Sequence, residues 1–262
     1  MPDPRIYEIY LGIISFIAFC IWKVVSNPIY KLADAVESGD LDTVKSLMQQ
    51  GINPDICHNG RATPLYLAAQ HGELQIAELL VESGADINNG LNTHQGWNPL
   101  LAAAVNKHPE IVEFLKDKGA KEGLHYFAYC GNNSQVKSRL NQGKPIANTR
   151  NWGLSPLLLA ALNKQKSTIE LLLAHGADIN SLDCSANTPL CCAVEQGDLD
   201  MIDFLLEQGA NINAEGVHRT PLKLAVFLNQ LVTVEHLIEK GADVNFRSPL
   251  EMAAWHGYTD NC

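Results

Sequence analysis

A period close to 33 residues governs this chain and limits what it can fold into. Glycines recur at Gly39, Gly72, Gly131 and Gly197, and Thr/Ser-Pro-Leu triplets begin at Thr63, Ser155, Thr188, Thr220 and Ser248. A second glycine set, at Gly51, Gly84, Gly119, Gly143, Gly176, Gly209 and Gly241, follows the first at a fixed offset. Such a period marks units that cannot bury an apolar face alone and must stack on their neighbours. Function is then expected on a repeated surface rather than in a single pocket.

Residues 61–88 show the unit most clearly. Thr63-Pro64 predicts a helix start, with proline at a first-turn position where its missing N–H is no loss. Leu65, Leu67, Ala68 and Ala69 form a short apolar helix whose alanines permit close stacking, and Gly72 ends it. Leu74, Ile76, Ala77, Leu79 and Leu80 give a second helix with apolar residues three and four apart. Gly84-Ala85-Asp86-Ile87-Asn88 closes that helix and leads into an extended turn.

This pattern resembles the ankyrin repeat. Thr188-Pro189-Leu190, Ala193-Val194, Gly197, Ile202-Phe204-Leu205-Leu206 and Gly209-Ala210-Asn211-Ile212-Asn213 carry the resemblance, as do the units from Ser155 to Asn180 and from Thr220 to Asn245. It covers about residues 29–262. It implies an all-α repeat solenoid with β-hairpin fingers, of seven to eight units, here preceded by an apolar N-terminal helix. The expected units are 29–59, 60–94, 95–120, 121–150, 151–183, 184–216, 217–245 and an incomplete 246–262, following a separate N-terminal segment, 1–28.

With the corner between the two helices as register, the marks fall at 39, 72, 107, 131, 164, 197, 229 and 257, and one interval shrinks to 24. Between Gly119-Ala120 and the helix beginning at Leu124 only Lys121-Glu122-Gly123 remain, so the usual finger is missing. Tyr126 and Phe127 replace small or aliphatic residues there. Two explanations stay open: decay of one repeat, or a notch shaped for a partner.

The N-terminus differs in kind. Residues 9–22 carry no charge, and with Lys23 snorkelling the apolar run reaches Val25. As a helix, residues 9–25 would extend about 25 Å, the short end for a membrane span. A single transmembrane anchor is expected, giving a single-pass membrane location. The alternatives are a cleaved signal peptide, with Arg5 as its thin positive flank, and a capping or interfacial helix. Positive charges balance across the segment, so the side on which the repeats lie stays open. Seven cysteines show neither paired zinc-ligand spacing nor a compact disulfide frame, so most read as small core hydrophobes.

Catalytic signatures do not emerge. No phosphate loop, His-Glu-x-x-His or nucleophile elbow is present. His58, His94, His108, His125, His218 and His256 are scattered through fingers and corners and read as hydrogen-bonding or surface residues. Cys191 and Cys192 read as buried, and Asp86, Asp178 and Asp243 as acceptors of local backbone bonds. The chain is therefore expected not to be an enzyme, and to need no metal or cofactor.

By the resemblance, partners bind the concave surface made by finger tips and first-helix ends. Carried across by register, those ends include Tyr129 and Phe227, while Trp97, Trp152, Leu154 and Arg219 precede helices on the fingers. Aromatic residues with arginine nearby have the composition of interface hot spots. Net charge is −10, yet residues 93–154 hold eight basic and four acidic side chains, net +4, between acidic flanks. That stretch includes Lys137, Arg139, Lys144 and Arg150. A positive middle between acidic wings favours a partner of the reverse pattern and argues against nucleic acid. The expected function is a membrane-tethered module binding one protein, in which the chain is otherwise a monomer. An inhibitor or immunity protein acting on an enzyme, and a structural scaffold or adaptor, are the competing readings.

Overall fold

A computed structural model describes residues 28–57, 62–89, 98–141, 155–182, 187–214 and 220–245. Fourteen α-helices and no strand occur among them. The expected β-hairpin fingers are therefore not seen in the described residues; most of their tips lie outside them. They divide into two compact units, one ending at Lys121 and the other beginning, in the described chain, at Glu122.

The first unit holds three helix pairs: α1 (Pro28–Glu37) with α2 (Leu41–Gln49), α3 (Pro64–His71) with α4 (Leu74–Glu82), and α5 (Pro99–Val105) with α6 (Pro109–Asp117). The second holds four: α7 (Leu124–Cys130) with α8 (Asn133–Leu140), α9 (Pro156–Leu162) with α10 (Lys166–Ala174), α11 (Pro189–Glu195) with α12 (Leu199–Glu207), and α13 (Pro221–Phe227) with α14 (Leu231–Glu239). Within each unit, first helices pack on first helices, and each also packs on its own second helix. That makes two layers sharing one core, whose walls are Leu65, Leu80, Leu100 and Leu115 in the first unit and Leu158, Leu159, Ile169, Leu172 and Leu205 in the second.

The triplets start helices as expected. The side chains of Thr63, Asn98, Ser155, Thr188 and Thr220 accept from the amide three residues on, and a proline follows each. Thr63 also donates to the Asn89 carbonyl at 2.7 Å, and Asn98 to that of Lys121 at 2.9 Å, so two caps tie neighbouring elements together.

All seven described corners contain one left-handed residue: Gly39, Gly72, Lys107, Gly131, Lys164, Gly197 and Asn229, at φ from 54° to 84°. The amide after each bonds back five residues, to Ala35, Ala68, Ala103, Phe127, Ala160, Ala193 and Ala225 respectively. This bond fixes the register of every repeat, and it places Phe127 where each other repeat has alanine.

Left-handed backbone costs a residue bearing a Cβ about 1–2 kcal/mol, against about 0.5–1 kcal/mol for glycine's greater freedom when unfolded. Lys107→Gly is therefore expected to stabilise the first unit by about 0.5–1 kcal/mol, read as a higher urea midpoint. An unchanged or lower midpoint would contradict the corner's strain. Lys164 is a poorer test, because it pairs with Asp198 at 2.6 Å across the stack. That ammonium holds the Asp198 carboxyl below the usual aspartate range.

The expected single-pass membrane location is corrected. Among the described residues no helix is long and apolar enough to cross a membrane. Residues 9–25, on which that expectation rested, lie outside the described residues.

Candidate partner-binding surface

Repeating side chains tie each repeat to the next before any partner is considered. Asp86, Asp178 and Asp243 each accept from the amide two residues on, at 2.9 Å, as the sequence leads one to expect. The residue at that next position then reaches forward. In the first unit Asp55 accepts from the Asp86 amide and Asn88 from the Lys121 amide. In the second, Asn180 accepts from Asn211 and Asn213 from Asp243, both at 2.9 Å. The result is a relay of forward bonds, from the first and second repeats in one unit and from the fifth and sixth in the other.

First-helix ends are tied in the same manner. In the second unit the carbonyls of Tyr129, Leu162 and Glu195 accept from the side-chain amides of Asn163, Gln196 and Gln230. In the first, a ring nitrogen of His108 lies 3.1 Å from the Gln70 carbonyl. The row is thus held by bonds that a partner need not form, which lowers the ordering cost of binding.

Of the ten residues singled out from sequence, Trp97, Lys144, Arg150, Trp152, Leu154 and Arg219 lie outside the described residues. The other four belong to the second unit and do not form one patch. Phe227, half-buried, ends α13 in the first-helix layer. Tyr129 holds the same register on α7, three first helices away, roughly 25–30 Å at usual helix spacing. Lys137 and Arg139 lie on α8, in the other layer.

Two of these four need correction. Tyr129 does not project: its ring is buried at 7% exposure, and burial pushes its phenol pKa up. Arg139, although exposed, is engaged within the unit. Its guanidinium sits 5.7 Å from the Phe127 ring centroid and donates to the Glu122 carbonyl at 3.2 Å. Phe127 in turn meets Tyr126 edge to face, with centroids 6.1 Å apart. The short fourth repeat is therefore closed by its own aromatic and basic residues. Lys137 is exposed on the last turn of α8.

His125 also departs from the surface reading. It lies in the first turn of α7, and burial drives its pKa down to about 4. Cys191 and Cys192 are buried as expected. Among the described residues no group of three or more His, Cys, Asp or Glu side chains is arranged to hold a metal ion.

Among the described residues, ion pairs also join successive second helices. Asp203 meets Lys240 at 2.7 Å and His236 at 2.8 Å, and both hold its carboxyl below the usual range. Lys166 stands over the Phe204 ring, 5.4 Å from its centroid. The sequence period places these residues on or just beyond successive second helices but does not pair them.

Comparison with known proteins gives a consistent assignment. Residues 32–123 and 124–216 each match a description of ankyrin repeats in three copies, and residues 218–249 match a single ankyrin repeat. The boundary between the two larger matches nearly coincides with the boundary between the compact units. The chain is 29% identical over 191 residues to the ankyrin repeat protein YahD of Escherichia coli (strain K12), covering 67% of this chain and 94% of that protein. It is 28% identical over 188 residues to the human transient receptor potential cation channel subfamily A member 1, covering 68% of this chain but only 14% of the channel. The human ASB11 ankyrin repeat domain aligns over 81% of this chain and 98% of its own, at 24% identity and a TM-score of 0.41. The matched repeats span most of the sequence, and the chain belongs to the ankyrin repeat family.

Proposed function

We propose that this chain, a protein–protein interaction module by its ankyrin repeats, binds one main partner across the row of first-helix ends in its second unit, and that it binds without catalysis. The supporting observation is the forward capping of the Tyr129, Leu162 and Glu195 carbonyls by side chains of the next repeat. Those bonds fix the ends of α9 and α11, so Leu162 and Glu195 are presented from pre-ordered positions, with Phe227 at the same register on α13. A half-buried leucine and phenylalanine flanking an exposed carboxylate give apolar anchors with a polar mark for orientation.

The test begins with capture of a stoichiometric partner by the full chain from its native cells, followed by measured affinities of purified variants. Leu162→Asp and Phe227→Ala are each expected to weaken the complex by roughly tenfold or more. Unchanged affinity for both would overturn the proposed surface. If the captured partner is an enzyme that loses activity on binding, the module acts as an inhibitor; if it stays active, the module recruits.

A further inference from the structure

Two surface positions at the inter-helix corner are polar in one repeat after another and then turn apolar in the last described repeat. Just before the left-handed residue, Asn163 and Gln196, and Cys130 in the short repeat, give way to Leu228. Three residues after it, Ser134, Ser167 and Asp200 give way to Val232. The second of these positions is exposed in every described repeat, so stacking of one repeat on the next does not cover it. Leu228, Leu231 and Val232 are 38%, 41% and 64% exposed. They follow one another around the turn from α13 to α14 and form one apolar knuckle. Single exposed apolar residues are ordinary on a protein surface; three within five positions form a contiguous apolar feature.

Exposed carboxylates flank this knuckle. Asp200 occupies Val232's register one repeat earlier; its side chain is 95% exposed and its approach to Lys166 is loose, at 3.7 Å. Glu235 lies three residues beyond Val232, hence on the same face of α14, and Glu239 is exposed further along that helix. Of the nearby cations, Lys223 is buried, Lys240 holds Asp203, and Lys166 approaches Asp200 only loosely.

We infer that the α13–α14 corner docks a basic amphipathic segment of a protein partner. Its apolar side chains would cover Leu228, Leu231 and Val232, while Lys or Arg residues face Asp200 and Glu235. An anionic lipid surface or a nucleic acid would meet these same carboxylates and be repelled. The inference rests on the reading of the chain as a protein-binding module, but its knuckle lies two repeats away from Leu162.

The full chain should be titrated by fluorescence anisotropy with a short synthetic Leu–Lys amphipathic helix and with its Leu–Glu counterpart. The Leu–Lys peptide is expected to bind and the Leu–Glu peptide not to bind. The double variant Leu228→Gln/Val232→Gln should lose roughly ten- to hundredfold in affinity. Glu235→Lys should lose less and flatten the salt dependence. Leu162→Asp should leave the peptide's affinity unchanged, which separates failure of this inference from failure of the first-helix surface. Absence of peptide binding, equal binding of both peptides, or an unaltered double variant would overturn it. So would a dimer of the wild-type chain in sedimentation that Leu228→Gln/Val232→Gln dissolves, because the knuckle would then belong to a second copy.

Discussion

Phe127→Ala is expected to destabilise the second unit by about 3–5 kcal/mol, the cost of deleting a buried aromatic ring. Phe127 is 4% exposed and stands where Ala160, Ala193 and Ala225 stand in the following repeats. Restoring alanine would thus return the local sequence to the pattern of its neighbours yet open a cavity, since this repeat is built around the ring. Arg139→Met should cost less, about 0.5–1 kcal/mol, for loss of an exposed cation–ring contact. Urea denaturation of the three proteins checks both values. A cost below about 1 kcal/mol for Phe127→Ala would mean that the ring fills no specific space. It would return the short repeat to simple decay.

His125 gives the second large effect, and its sign is fixed by burial. Desolvation lowers its pKa in the folded state to about 4, from an ordinary 6.5. Between those values the unfolded chain binds a proton that the folded chain refuses. This contribution to stability is full above pH about 6.5, falls as pH drops toward about 4, and is of order 2–3 kcal/mol. His125→Leu, which restores the apolar character of Leu158 at the same register, should remove that part of the pH dependence. Urea midpoints at two pH values inside and above the window provide the measurement. Parallel behaviour of wild type and variant would rule the assignment out.

The helices and their order were legible because their signals are local. Thr-Pro starts a helix by capping and ring geometry, and the 33-residue register located left-handed corners even at Lys107, Lys164 and Asn229, where no glycine announces them. The binding residues were less legible because register specifies a position on a helix, not what fills the space beside it. Tyr129 was assigned outward by counting from the corner, yet its ring is buried. Arg139 read as part of a basic patch, but the missing finger brought Glu122 within reach, and Phe127 offered a ring for its guanidinium. Leu228 and Val232 carried a signal that comparison of equivalent positions reveals and a search for aromatic hot spots passes over. The membrane expectation had a different weakness. It rested on one apolar run whose neighbours neither supported nor opposed it.

The relay through Asp55, Asn88, Asn180 and Asn213 has a consequence for how such a chain can lengthen or shorten. The second and sixth repeats each offer an acceptor at the trailing edge and an amide at the leading edge, so the two cut faces left by excising either one are complementary. Joining the flanking repeats within a unit would leave no unmatched polar group, whereas removing half a repeat would strand one. The stack is therefore indifferent to its number of copies but strict about their phase, a grammar in which whole words can be added or struck out and syllables cannot.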